Sequence, residues 1–484
     1  MPLSSLPSPH GIGSLGKEAY LFIDFLKAAG QRYWQILPIG PTGCGDSPYQ
    51  SFSAFAANPY LIDLDLLLKQ GLLTAEEIAS ARFGEDPARV DYGALYENRI
   101  PLLERAARRM GDSAVFRAFC KRNEDWLGDY ALFMALKEEN GMAPFQHWPS
   151  PLRLRNPAAL GAAEIRLSAR VHLWKVLQFF FFSQWKALAD YAHQNGVKII
   201  GDLPIYVSPD SSDLWASPEL FQVGGDGRPT EVAGCPPDAF SPTGQLWGNP
   251  LYDWDQMGRD GYGWWVRRLE FASQIYDAVR IDHFRGFAGY YAVPADAKDA
   301  VGGRWREGPG IGFLWALKEK VPGARVIAEN LGFLTEDVYR LLRDSGFPGM
   351  KVLQFAFDPR GKSDYLPYRY ERNCVVYTGT HDNTTTEDWQ YSAPPGEVAY
   401  ARRYLNVPEG NSLTDAMIRS ALGSVADTCI IPMQDYLHLG AQARMNRPGT
   451  LGGNWRWRVL KEAITPSLAA RMRSLSTLYG RAEA

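Results

Sequence analysis

Apolar residues fall along this chain in short dense runs that stop at polar or glycine-rich positions, and most runs are followed by the three-to-four-residue spacing of an amphipathic helix. The runs at 33–39, 198–207, 278–283, 325–330, 350–357, 374–380 and 428–434 read as buried strands, with a weaker candidate near 59–64. Strands that alternate with helices imply a parallel sheet covered on both faces. Eight such strands favour an α/β fold of the closed (β/α)8 TIM-barrel kind over an open doubly wound sheet. No GxGxxG follows the first run, as a dinucleotide-binding sheet would require.

The repeat is interrupted twice. Residues 67–173 turn charged and helical, which predicts a helical insertion carried by one catalytic barrel spanning the chain. Residues 208–254 are rich in Gly, Pro and Asp and too long for an idle connection, which predicts an irregular loop covering the site. The aromatic run Phe179, Phe180, Phe181, Phe182 is far too short to span a bilayer and reads as part of a core helix.

Composition narrows the partner more than the fold. Lys plus Arg number 51 against 54 for Asp plus Glu, so no net field draws nucleic acid or an anionic membrane surface, and the expected ligand is neutral. The 15 Trp, 24 Tyr and 23 Phe suit the CH-rich faces of sugars as well as ordinary cores. Cys44, Cys120, Cys235, Cys374 and Cys429 are scattered with no CxxC spacing, which argues against a disulfide framework or zinc site and for a reducing, cytoplasmic setting. The opening residues lack the basic and apolar regions of a secretory signal, and a plastid form cleaved of its transit peptide would look the same.

The chemistry concentrates at 277–287, DAVRIDHFRGF, a buried strand that ends in charges. Arg280 and Asp282 are two apart and so face one side of a strand, where the guanidinium would keep Asp282 ionised near neutral pH. Two further strand ends carry an acid beside groups that would orient it: Glu329 with Asn330, and Asp382 with His381 and Asn383. The carboxyl ends of barrel strands converge on one face, so acids distant in sequence meet there. Any one of them alone could be a helix cap or an ion-pair partner; three in succession make a site. Cleavage of a glycosidic bond needs one charged and one neutral carboxyl. Asp282 suits the charged role. Glu329 follows apolar Val326, Ile327 and Ala328 with no adjacent cation, so its pKa is expected to rise toward that of an acid/base. Asp382 remains to bond sugar hydroxyls and favour a distorted ring.

These residues resemble the nucleophile, acid/base and third acid of the α-amylase superfamily. The chain resembles in particular its amylomaltase or disproportionating branch, the 4-α-glucanotransferases of glycoside hydrolase family 77. The narrowing segments are SPYQSFSAFAANPYLIDL from Ser47, GDLPIYVSPDSSDLW from Gly201, GCPPDAFSPTGQLWGNPLYDW from Gly234, VIAENLG from Val326, YTGTHDNTTTEDW from Tyr377 and ARMNRPGTLGGNWRWR from Ala443. The resemblance implies a (β/α)8 barrel without a C-terminal β-sandwich, α-1,4-glucan oligosaccharides and polysaccharides as partners, and chemistry that needs no metal or other cofactor. It implies that Ser47, Pro48 and Tyr49 meet donor sugar and that Asp202 binds hydroxyls beside the scissile bond. His283 and His381 would flank the reacting ring, and Arg280 would belong to the substrate-binding set. Gln245, Trp247 and Asn249 would sit on the covering loop, and Asn454 with Trp455 on the loop after strand eight. The rival readings are a hydrolase of the same superfamily, with water as acceptor, and a non-catalytic glucan-binding protein on a retained barrel.

Overall fold

In the computed structural model, which describes residues 1–237, 241–332, 334–361 and 363–483, seven of the apolar runs become parallel strands of one sheet. Their order is β1 (Tyr33–Gln35), β2 (Lys198–Leu203), β5 (Ala278–Ile281), β8 (Val326–Ala328), β9 (Gly349–Val352), β10 (Cys374–Tyr377) and β11 (Thr428–Ile430). Strands β5, β8 and β10 are buried throughout, as their near-continuous apolar sequences require of a sheet covered on both faces. With helices in the connections, this is a TIM-barrel arrangement. Each strand is shorter than the run that announced it, because the last residues of each run leave the ladder at its carboxyl end. That is where Asp282, Glu329 and His381 stand.

The eighth strand expected near 59–64 is instead a 3-10 turn, Pro59–Leu61, leading into a helix at Leu64–Lys69. Its peptide groups have other partners. The Gln178 side chain brackets Ala57, accepting from its N–H at 2.8 Å and donating to its carbonyl at 2.9 Å. Gln184 brackets Asp63 in the same way at 2.7 and 3.1 Å. Asn58 and Asp63 cap the N–H groups of Tyr60 and Leu66. Backbone satisfied by side chains has no groups left for a ladder. Among the described residues the barrel therefore holds seven strands, with β1 and β11 as the two edges of its sheet.

Helix α1 (Lys17–Ala28) precedes β1, and the long connection from β1 to β2 carries α2 (Tyr92–Arg109), α3 (Leu127–Glu139) and α4 (Ser168–Gln194), among shorter helices. Helix α3 is buried from Tyr130 to Lys137 without interruption, the mark of a helix enclosed on all sides. Residue 173 falls within α4, which runs on without a break through the Phe179 to Phe182 run and buries Phe180 and Phe181.

The 208–254 stretch is not irregular. It contains β3 (Glu231–Cys235) and β4 (Gln245–Pro250), which join β6 (Gly289–Pro294) and β7 (Arg304–Glu307) in an antiparallel sheet of order β4-β3-β6-β7. Dense Gly and Pro hid these strands in the sequence. Asp238, Ala239 and Phe240, within the Gly234 segment, lie outside the described residues. After β11 the described residues form helices, including α5 (Pro466–Leu478), and loops, with no further strand. No helix is long and apolar enough to cross a membrane among the described residues.

Candidate active site

Arg280 is the hub. It sits opposite Asp202 in the β2–β5 register, and its Nη1 lies 2.8 Å from both Asp202 oxygens while Nη2 lies 3.0 Å from Asp282 Oδ1. The Tyr49 hydroxyl donates to Asp202 Oδ2 at 2.7 Å. Asp202, expected to bind sugar hydroxyls, has Arg280 and Tyr49 as its partners here. Its side chain is 1% exposed and both oxygens are engaged, so it anchors Arg280 and Tyr49. Removing the cation from this buried cluster strands its carboxylates. Arg280→Met is therefore expected to cost roughly 3–5 kcal/mol of stability, read as a lower denaturation midpoint; an unchanged midpoint would show that the cluster is not held by its cation.

Asp282 leaves β5 with its N–H bonded to the Leu203 carbonyl at 3.0 Å and its side chain 29% exposed. Its carboxyl is raised above the ordinary range, because desolvation outweighs the attraction of Arg280 and Asp202 adds repulsion. The guanidinium thus offsets part of the cost of burial. The next residue, His283, takes a left-handed conformation (φ +51°) and donates its N–H to Glu329 Oε2 at 2.6 Å, while Leu331 N–H donates to Oε1 at 2.7 Å. Glu329 is 8% exposed. Burial first, and then the charge of Asp282, raise it to about 7 against the pull of Arg280 and the two N–H groups. Adjacent positions on one strand end thus supply the first carboxylate and the clamp on the second, and their environments differ as the acid and the nucleophile of a glycosidic site require.

The His283 imidazole is pushed down to about 3 by burial and by Arg285, which keeps it neutral. It meets the Trp247 ring edge-on at 4.7 Å and the Tyr206 ring at 6.4 Å. Asp382 is about half exposed, with Oδ1 accepting from Asn446 Nδ2 at 2.7 Å and lying 3.3 Å from His381 Nε2. Arg444 donates to the Asp382 carbonyl at 2.7 Å. His381 stacks on Tyr49 at 5.1 Å and tilts against Trp455 at 5.7 Å. Below this loop, buried Asp435 accepts from Thr378 Oγ1 at 2.6 Å and from the Thr386 N–H and hydroxyl at 2.8 Å, which fixes the turn that presents Asp382.

The remaining expected residues divide. Ser47 Oγ accepts from Tyr49 N–H at 3.3 Å, and Gln245 Oε1 accepts from Trp247 Nε1 at 3.1 Å, so both steady an aromatic ring. Asn249 is buried, with its amide spent on the Val207 carbonyl at 2.8 Å and on Gln50 at 3.2 Å. Asn454 is spent on Arg447 N–H at 3.0 Å and on Thr450 within its own turn. In this arrangement both side chains hold loops. Sequence reasoning missed Asn446, Arg444 and Asp435. The first two lie in the segment from Ala443, where polar side chains beyond the last strand were the available signal.

A family profile described as 4-alpha-glucanotransferase matches residues 1–463. The 4-alpha-glucanotransferases of Streptococcus pneumoniae and Thermus thermophilus are each 48% identical to this chain, over 99% and 98% of it and 96% of their own lengths. The structure of amylomaltase from Streptococcus agalactiae in complex with acarbose superposes with a TM-score of 0.97 at 41% identity, covering 100% of this chain and 99% of that one. A likeness that close and that complete shows that the chain belongs to the 4-α-glucanotransferases of glycoside hydrolase family 77.

Proposed function

We propose that Asp282, Glu329 and Asp382 transfer α-1,4-glucan segments between maltodextrin, starch or glycogen chains by a retaining double displacement. Asp282 attacks the anomeric carbon while Glu329 gives its proton to the departing glycosidic oxygen, leaving the donor segment joined to Asp282. Glu329, now charged, takes the proton from the 4-hydroxyl of an incoming chain as that oxygen displaces Asp282. Asp382, at the rim and steadied by Asn446, accepts from sugar hydroxyls. The observation that carries this reading is buried Glu329, held by the His283 and Leu331 N–H groups at the strand end next to the one where Asp282 is bridged to Arg280. The relatives support glucan as the substrate class. Thiols at Cys120, Cys374 and Cys429 support a reducing, cytoplasmic setting.

Incubation with maltotriose tests the transfer. Glucose together with a ladder of oligomers longer than the trimer is the expected result, and products that are only shorter than maltotriose would establish water as the acceptor. Keeping water from the intermediate falls to the covering sheet, whose Trp247 lies against His283. Trp247→Ala is expected to raise the hydrolysed share of products roughly fivefold, measured as new reducing ends per transfer event. An unchanged share would remove Trp247 from that role.

A further inference from the structure

The two strand ends that carry Asp282 and Glu329 also lead to a space outside the cleft. The chain leaving β5 runs through Arg285 into the hairpin of β6 and β7, and the chain leaving β8 enters the helix Glu336–Ser345. Between them lies a cavity of about 490 Å³, with Ile311 from the start of the helix Gly310–Lys320 on its wall. Pockets that hold small ligands run from roughly 300 to 1,000 Å³. Asp282, Glu329 and Asp382 are not among the residues that line it.

Trp305 is the platform of this cavity. It lies on β7, an edge strand of the small antiparallel sheet, and is 43% exposed. The Arg285 guanidinium sits 3.9 Å from its ring centre, and Tyr291, its cross-strand partner, meets it edge-on at 5.3 Å. The indole is thus held in one orientation with part of its surface left to solvent, and a fixed aromatic surface suits the CH-rich face of a sugar. A second indole continues the line. Trp315 stands four residues beyond Ile311, and Lys318, three further on, donates to the Ser345 carbonyl at 2.8 Å. Residues at that spacing share one helix face, so Trp315 looks toward Glu336–Ser345, yet it is 59% exposed. It therefore stands at the open rim of the groove between the two helices.

The charges of the lining select against ions. Among the described residues there, Arg285, Arg306 and Arg340 are matched by Glu307, Asp337 and Asp344. An anion would meet the carboxylates and a cation the guanidiniums, whereas the hydroxyls of a neutral sugar accept from one set and donate to the other.

We infer that this groove is a second glucan-binding site, in which Trp305 and Trp315 stack on a stretch of α-1,4-glucan outside the cleft. The inference rests on glucan transfer as the reaction. By holding a long chain beside the cleft, the groove raises its effective concentration there, an advantage that a trimer is too short to gain.

Tryptophan oxidation by N-bromosuccinimide, followed peptide by peptide by mass spectrometry on the whole Asp282→Asn chain, tests the site with amylose as the probe. Trp305 and Trp315 are expected to oxidise roughly tenfold more slowly in saturating amylose, and dextran of equal length is expected to protect neither. Trp247, on the covering sheet, separates two kinds of failure. Protection of Trp247 with none at Trp305 and Trp315 overturns the second site and leaves glucan transfer standing; protection at none of the three removes both. Equal protection by dextran also overturns the site, because the groove would then hold chains of any linkage. In the active enzyme, Trp305→Ala combined with Trp315→Ala is expected to raise KM for amylose about fivefold relative to KM for maltotriose. An equal rise for both substrates would place the effect of the two rings in the cleft and overturn the site.

Discussion

Asp282→Asn is expected to lower turnover of maltotriose by at least about 10⁴-fold while leaving the fold intact. The substitution keeps the shape of the side chain and an oxygen toward Arg280, but an amide does not form the glycosyl ester on which the second half of the reaction depends. Stability is expected to change by less than about 1 kcal/mol. The lost attraction to Arg280 is offset by relief of a carboxylate that burial and Asp202 already disfavour, and Arg280 keeps its bonds to Asp202. Steady-state assay and thermal unfolding on the same preparation separate the two effects. Retention of a tenth of the wild-type rate would remove Asp282 as the nucleophile. A large fall in Tm would make lost activity uninformative, and Asp282→Ser, which removes the carboxyl without leaving an amide beside Asp202, then serves as the second variant.

Glu329→Gln is expected to abolish most activity and, more tellingly, to remove the alkaline limb of the pH profile. In the free enzyme kcat/KM should decline as pH rises through about 7, where Glu329 gives up the proton it must donate. The same group has a signature in stability, and its sign is opposite to that of a salt-bridged carboxylate. Its folded-state pKa lies above the ordinary 4.5, so between roughly pH 4.5 and 7 the folded protein holds a proton that the unfolded chain has released, and stability falls with rising pH by about 3 kcal/mol across that window. Below the window both states are protonated, and above it both are charged. The stability of the wild type relative to Glu329→Gln should therefore drop as pH is raised from 4.5 to 7 and stay level beyond. A pH-independent difference would show that Glu329 titrates normally and is not the acid.

Much of this site could be read in the chain because its acids stand where apolar runs stop, and a charge at the end of a buried strand has few uses other than chemistry. The pairing of Glu329 with a raised pKa was legible for the same reason: three apolar residues precede it and no cation adjoins it. What stayed hidden depends on partners remote in sequence. The eighth strand near 59–64 fails because Gln178 and Gln184, each 121 positions from the peptide group it brackets, take over its hydrogen bonds. The burial of Asp202 depends on a register that sets it against Arg280, which no local pattern states. The loop-holding bonds of Asn249 and Asn454 were equally hidden, because an amide on a loop near a cleft has the same appearance whatever it bonds. The clamp from His283 to Glu329 comes from a left-handed backbone at a residue that carries its own plausible role as a side chain.

The small antiparallel sheet takes β3 and β4 from the connection before β5 and β6 and β7 from the connection after it. In a canopy stitched from both flanks of the strand that leads into Asp282, lifting either half pulls on the other through the β3–β6 ladder. The place of Trp247 against His283 is therefore set by stretches of chain that lie on both sides of Asp282.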